Sequence, residues 1–359
     1  MFEVLLPWLF LLGKILLFFG IVFGGVAPVM IWVERKVSAL IQDRVGPNRV
    51  GPFGLLQSLA DGIKLVLKEP LEPEGVVKPY YYLAPILAVI PAALSFAIIP
   101  FGPATTLGGL FETPQRLQIS NLNAGVLFLL AVSSLSVYGV ALAGWSSNNK
   151  FSVMGALRAS AQMISYELAA GLAVVTVILL SGTVDLVGMV EAQSSMWNIV
   201  PGFFAFLVFL PAIFAETNRL PFDLAESEAE LVVGYHTEYS GIKFGLFFLA
   251  EYAIMTSISA VCVLMFFGGW ELWPGFSWND LYAALNLGWT TEGTTNILGT
   301  IIPSVWFVTK VCAFLFLFVW VRWTLPRFRY DQLMSIGWKR LLPLAILNIT
   351  ITAALMALV

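Results

Sequence analysis

Charge is in short supply in this sequence. Of its 359 residues 11% are Asp, Glu, Lys or Arg, less than half the share of about 25% typical of soluble domains. Against that, 59% are hydrophobic. No soluble core of this length buries so much apolar surface, whereas a bilayer is itself an apolar solvent. Cysteine and histidine are nearly missing. Cys262 and Cys312 lie far apart in apolar stretches, and His236 stands alone. That excludes a cysteine-ligated iron–sulfur cluster, a zinc site and a bis-histidine haem built by this chain. No G-x-G-x-x-G or P-loop pattern occurs either. Chemistry that needs a redox cofactor must therefore use one held by another subunit. The N-terminus also lacks a positive leading region and a small-residue cleavage site. Its first apolar run, Ile15 to Val33, reads as a retained span that ends in Glu34-Arg35-Lys36.

What is present is a series of long apolar runs. A spanning helix needs about 20 mostly apolar residues. Eight runs qualify, near 15–33, 82–101, 124–145, 164–186, 200–215, 244–270, 301–323 and 341–359. They are continuous rather than alternating, so the fold class is all-α: a polytopic membrane helical bundle of about eight spans. All Lys and Arg except Lys14, Arg116 and Lys310 fall in the loops after spans one, three, five and seven or at their edges. By the positive-inside rule these loops are cytoplasmic, and both termini lie on the outer side. The outer loops carry Trp197, Trp270, Trp273, Trp278 and Trp289, as expected near a membrane–water interface. The chain is read as one integral membrane domain, 1–359, with an elaborate inner face built from loops 34–79, 146–163, 216–243 and 324–340.

The inner loops are more than connectors. After the turn-rich stretch Gln42 to Pro52, residues Leu55, Leu56, Leu59, Ile63, Val66 and Leu67 fall on one helical face, with Asp61, Lys64 and Lys68 elsewhere. This pattern suits an amphipathic helix lying in the interface or against a partner. Met154, Leu157, Ala161 and Ile164 form a shorter second case. The loop after span five carries Glu216, Asp223, Glu226, Glu228, Glu230 and Glu238 against only Arg219 and Lys243. On a helix, Asp223, Glu226 and Glu230 would share one face. Packed together, such acids repel and titrate as a coupled set. A solvated acidic loop is the other reading of the same run.

Ionisable residues inside the spans tip the balance. Glu167 and Glu216 sit at inner ends, Glu251 lies about two turns into span six, and Lys310 lies about two turns into span seven from the outside. A charge at mid-depth costs about 2.5–3.5 kcal/mol on insertion scales and usually faces a cavity or a partner. With the acidic loop, these residues suggest a polar route from the inner surface into the membrane.

At this point the sequence resembles a known family, the H-type subunit of respiratory complex I, called subunit 1 in mitochondria. The matching segments are Glu34-Arg35-Lys36, Arg44-x-Gly-Pro-Asn48, Leu59-Ala-Asp61-Gly-Ile-Lys64, Gly144-Trp-Ser-Ser-Asn-Asn-Lys150 and Ala161-Gln-Met-Ile-Ser-Tyr166-Glu167. They continue through Ala215-Glu-Thr-Asn-Arg219-x-Pro-Phe-Asp223, Glu238-Tyr239, Trp320-Val-Arg322 and Pro326-Arg327 to Leu333. The resemblance implies a membrane-arm subunit of a proton-translocating NADH:quinone oxidoreductase. It implies that the inner loops close the membrane side of a quinone chamber, quinone being the substrate. Electrons would come from peripheral-arm subunits carrying FMN and iron–sulfur clusters, and antiporter-like subunits would be further neighbours in the bilayer. Nucleic acid is not an expected partner.

By matching position, Glu34, Arg35, Arg44, Asp61, Phe222, Phe248, Tyr252 and Arg322 would line or border the quinone route. Glu167, Glu216, Asp223, Glu226, Glu228, Glu230 and Glu251 would form an acidic path into the membrane arm. A bacterial plasma membrane is favoured over the mitochondrial inner membrane. The outer segment 271–299 looks longer than the family leads one to expect, and the resemblance assigns it no role. Two alternatives stay open: the related membrane subunit of an energy-conserving hydrogenase or formate hydrogenlyase, and a free-standing ion transporter.

Overall fold

The computed structural model describes residues 12–17, 19–104, 116–225, 228–287, 289–291 and 297–358. Among them, twelve helices follow one another: α1 (Leu12–Ile41), α2 (Gln57–Leu67), α3 (Lys78–Ala97), α4 (Gly125–Ser146), α5 (Lys150–Ser181), α6 (Leu186–Ala192), α7 (Phe203–Glu216), α8 (Glu228–Leu231), α9 (Gly241–Phe266), α10 (Trp278–Ala284), α11 (Ile297–Thr324) and α12 (Tyr330–Leu358). Seven of these are long and apolar enough to cross a membrane: α1, α3, α4, α5, α9, α11 and α12. The protein is an all-α polytopic membrane bundle.

The eighth expected span departs from the pattern. Its helix, α7, has 14 residues, about 21 Å at ~1.5 Å per residue, against a hydrocarbon core of about 30 Å. Pro201-Gly202 stops it at one end and the turn Glu216-Thr217-Asn218 at the other. The segment leading into it is pinned beside the far end of α9. There Asn198 Nδ2 donates to the Met265 carbonyl at 2.9 Å, and the Ile199 amide donates to the Phe266 carbonyl at 3.0 Å.

Other boundaries shift for local reasons. Helix α1 does not stop at Val33 but runs on through Glu34, Arg35 and Lys36 to Ile41. Helix α5 begins at Lys150, where the Asn149 side chain caps the Phe151 amide at 2.9 Å. The expected short amphipathic helix around Met154 is therefore the opening half of a 32-residue helix that ends at Gly182 in the left-handed region. Its predicted face stays exposed all the same at Met154, Leu157 and Ile164. Helix α12 likewise starts at Tyr330, inside the expected loop, and passes through a π-turn at Gly337–Leu341. Helix α2 forms as the pattern predicts. Leu55, Leu56, Leu59, Ile63, Val66 and Leu67 all remain exposed, so this face is free for lipid or a neighbouring chain.

Small residues let the helices approach one another, as is usual where lipid supplies no hydrophobic drive between helices. A Cβ on Gly139 would meet the Ala88 amide nitrogen of α3 at 2.9 Å, and one on Gly144 would meet Ala156 Cβ of α5 at 2.3 Å. Helix α9 is the centre of the bundle, with 72% of its apolar stretch buried. Helices α1 and α12 lie at the edge, only 18% and 17% buried.

The far end of α9 is closed by a polar cap. Lys310 Nζ donates to the carbonyls of Phe267, Gly269 and Glu271 at 2.9, 3.0 and 2.6 Å, and lies 4.5 Å over the Trp197 ring. This charge within a span is thus matched by the negative end of a helix. Helix α10, part of the long outer segment, packs on this cap through a 2.7 Å bond from Trp278 Nε1 to the Trp270 carbonyl.

Candidate functional site

A single buried carboxylate organises the interior. Glu34 of α1 is 6% exposed, and an isolated ion there would cost several kcal/mol. Three elements supply partners. Arg219, from the loop after α7, donates from Nη1 to both carboxylate oxygens at 3.2 Å. The Tyr252 hydroxyl of α9 donates to Oε2 at 2.5 Å, and Arg322 of α11 donates to Oε1. Arg219 then reaches a second acid, with Nε 2.8 Å from Glu251 Oε1. Its guanidinium also stacks 4.5 Å over the Tyr252 ring. Two acids and two arginines leave the cluster formally neutral, and the planar arginine fork suits shared carboxylates better than a lysine.

The loop that delivers Arg219 is fixed from α5. Gln162, fully buried, donates from Nε2 to the carbonyls of Ala215 and Phe222, both at 2.7 Å, and to Asn218 Oδ1 at 3.2 Å. The loop is further closed by the Arg219 amide, which donates to the Phe214 carbonyl at 3.2 Å.

Two cavities continue inward from this network, and Glu216 is in the wall of both. One holds Glu216 and Glu251 together with Thr217, Asn218 and Tyr235. The other sets Glu216 among Ser95, Ser133, Ser136 and Ser257. Beyond it, the Ser134 hydroxyl donates to Glu167 of α5. Glu216 and Glu251 thus share one cavity wall, while Glu167 lines neither cavity and is held by Ser134.

The acidic loop is not the helical stripe of repelling acids that its spacing suggests. Asp223 lies in a turn, and α8 spans only Glu228–Leu231. Cations from other segments take two of these acids. Arg327 Nη2 is 2.6 Å from Asp223 Oδ2, and Arg158 Nη1 is 2.5 Å from Glu230 Oε2. Glu238 accepts from Asn149 Nδ2 at 2.6 Å. Next to it, burial pushes the Tyr239 hydroxyl above its ordinary range, and its ring stacks on Tyr81 at 4.4 Å. Glu226 lies outside the described residues, and Glu228 is described by its backbone alone.

With this geometry in place, the comparisons with known proteins become informative. The profile of the family described as NADH dehydrogenase matches residues 13–353. The chain belongs to this family. Similar relatives include the second of the H-type NADH-quinone oxidoreductase subunits of Koribacter versatilis, 50% identical over 91% of this chain and 92% of that one. The H-type NADH-quinone oxidoreductase subunit of Leptospira biflexa is also 50% identical, over 92% and 90%. The first of the H-type subunits of Solibacter usitatus is 46% identical over 99% of both chains.

Within this member of the NADH dehydrogenase family, the residues expected along a quinone route separate into groups. Glu34, Tyr252 and Arg322 converge in the buried network. Arg35 pairs with Asp61 at 2.5 Å across α1 and α2, and Gln57 Nε2 supports Asp61 at 3.0 Å. Arg44 instead bonds Gln42 at 2.7 Å in the exposed turn. Phe222 is buried between Tyr166 and Phe328, with ring centroids 5.4 and 5.5 Å away. Phe248 is half-buried beside Phe244 at 4.7 Å. Arg219 and Gln162 are absent from the expected site residues, yet Arg219 bridges Glu34 and Glu251 and Gln162 anchors the loop that carries it. Both stand within the matching motifs, but a loop arginine and a span glutamine show their partners only once the helices are assembled.

Proposed function

We propose that this chain is the membrane subunit of a bacterial NADH-quinone oxidoreductase that closes the membrane side of the quinone chamber and links quinone reduction to proton translocation. The observation that carries the reading is the guanidinium of Arg219. It joins Glu34, on the side where the resemblance puts quinone, to Glu251, the first acid of the inward polar route. Quinone reduction takes up two electrons and two protons. FMN and iron–sulfur clusters of peripheral-arm subunits supply the electrons. Negative charge formed near the network attracts Arg219 and Arg322 and weakens their hold on Glu34 and Glu251. The carboxylates then take up protons as a coupled set. Arg35, Arg44, Asp61, Phe222 and Phe248 border the route, and Asp223, Glu226, Glu228 and Glu230 form the loop end of the acidic path.

The protein resides in the bacterial inner membrane with both termini outside. The inner loops, 34–79, 146–163, 216–243 and 324–340, form the docking face for the peripheral arm. Other membrane-arm subunits cover the barely buried edges of α1 and α12.

The test is a mild-detergent pull-down from native membranes, assayed for NADH-driven quinone reduction. Co-purification of flavin and iron–sulfur subunits with inhibitor-sensitive activity is the expected outcome. Recovery with nickel–iron hydrogenase subunits would instead make this a membrane subunit of a proton-reducing complex. Recovery of the chain alone from membranes whose large complexes survive would reopen the transporter reading.

A further inference from the structure

The cavities that hold Glu216 and Glu251 end part-way along α9. Ser257 and Ile258 are the last residues of that helix in a cavity wall. From Ala260 to Phe266 no side chain carries a charge, hydroxyl or amide, and none is more than 5% exposed. That stretch is roughly 10 Å long at about 1.5 Å per residue. Helices α7 and α11 add rings to the same layer. Phe209 stands 5.6 Å from Phe266, and Phe206 and Phe314 stand 5.6 and 5.3 Å from Phe267, centroid to centroid. One helical turn outward from Phe314, on the same face of α11, comes Lys310. Its ammonium donates to the carbonyls of Phe267, Gly269 and Glu271 and lies 4.5 and 5.8 Å from the Trp197 and Trp306 rings. All three acceptors are backbone groups, so the charge is solvated by the helix end rather than cancelled by a bonded carboxylate.

We propose that Lys310 is an electrostatic stopper: behind an apolar layer that excludes water, its fixed positive charge keeps protons held at Glu216 and Glu251 from leaking to the outer side. The layer removes the water chains along which a proton could move, and the charge raises the cost for any proton that enters. At an effective dielectric of about 20, a unit charge roughly 10 Å away holds off a second one by on the order of tenfold. Without the ammonium, three carbonyls at the negative end of α9 would attract a hydrated cation in its place. Helix ends of this kind coordinate mobile ions in transporters, and here the cation is tethered to the chain. Protons on the carboxylates then exchange only with the inner face and with neighbouring subunits. This role rests on the proposed carboxylate path, and the experiment separates the two.

Methionine is unbranched and of similar length to lysine but uncharged, whereas arginine keeps the charge. Assembled complexes carrying Lys310→Met, Lys310→Arg, Glu216→Gln and the Lys310→Met/Glu216→Gln pair are reconstituted in vesicles. Two rates are read per complex: NADH-driven quinone reduction with an uncoupler present, and the decay of an imposed pH difference without NADH, corrected for protein-free vesicles. Lys310→Met is expected to reduce quinone at the parental rate while its pH difference decays about tenfold faster. Lys310→Arg is expected to stay tight, and adding Glu216→Gln to Lys310→Met to slow the decay again. A Lys310→Met complex as tight as the parent overturns the stopper; if Glu216→Gln alone still abolishes NADH-driven translocation, the carboxylate path stands without it. Equal leakage in Lys310→Arg also overturns it, because the charge is then not what matters. So does a leak that Glu216→Gln leaves unslowed, since protons then bypass the acids, and so does loss of uncoupled quinone reduction in Lys310→Met. Normal translocation in Glu216→Gln removes the path and the stopper together. If the methionine variant does not assemble, Lys310→Gln, which keeps two N–H donors for the carbonyls but no charge, decides by the same decay. Fast decay supports the stopper, and parental decay overturns it.

Discussion

Arg219 holds two carboxylates with one guanidinium, and that sharing sets what its loss must do. In Arg219→Leu, Glu34 keeps only Tyr252 and Arg322, and Glu251 loses its nearest cation. Breaking a buried ion pair from one side costs about 3–5 kcal/mol. The thermal unfolding midpoint of the detergent-solubilised complex should fall accordingly, and quinone reduction should be largely lost. Adding Glu251→Gln should recover part of the midpoint, because the charge that Arg219 held is then gone. Tyr252→Phe is milder: it deletes one hydrogen bond to a carboxylate, worth about 1.5–3 kcal/mol, and should lower the midpoint by less than Arg219→Leu. At this scale the sequence marks its functional residues but not their partners. Glu34 and Glu251 stand out as acids beside or within apolar runs. That one arginine serves both follows from three chain segments meeting, which no spacing within a segment encodes. Asp223 and Glu230 show the reverse error, since local spacing suggested repulsion while Arg327 and Arg158 arrive from far along the chain.

Among the elements, the α4–α5 hairpin and the outer cap are the parts most open to test. Gly144→Val would drive side-chain atoms into Ala156 and the Ser152 carbonyl, already within 2.5 Å of an added Cβ. Overpacking of this kind costs about 1–3 kcal/mol, so less intact complex should be recovered from membranes. On the outer side, burial pushes the Glu271 carboxyl above the ordinary glutamate range, with Lys310 pulling it back. A carboxyl raised in the folded state holds its proton more tightly there than in the unfolded chain. The stability it contributes is present in acid and lost as pH rises from about 4.3, the ordinary value, through the raised one. Proteolysis of the outer segment should therefore quicken across that window, and Glu271→Gln should flatten the dependence. Helix existence was legible here and helix ends were not. Apolar runs located every long helix, but Asn149 capping extended α5 backwards and Glu34's buried partners let α1 run through its charges.

For the whole molecule, the proposed orientation rests on the distribution of basic residues, which puts the loops rich in Lys and Arg on the cytoplasmic side. Cysteines placed singly at Val45 and Leu325, in a background without Cys262 and Cys312, should react with a membrane-impermeant thiol reagent only from the cytoplasmic side. One placed at Leu287 should react only from the outside. The overall architecture was readable because a membrane allows so few solutions to the backbone hydrogen-bond problem. The exception is α7, and its shortness has a wider effect. One end is level with the end of α9, so its other end, at Glu216, comes level with Glu251, about 15 Å along α9 from that helix's first residue. A full crossing of an energised membrane is worth about 2.3 kcal/mol per charge per 100 mV, and on the proposed path a proton arriving at Glu216 would have crossed part of that drop. Membrane voltage would then act on the occupancy of this acid as a brake, strongest when the cell is already fully charged.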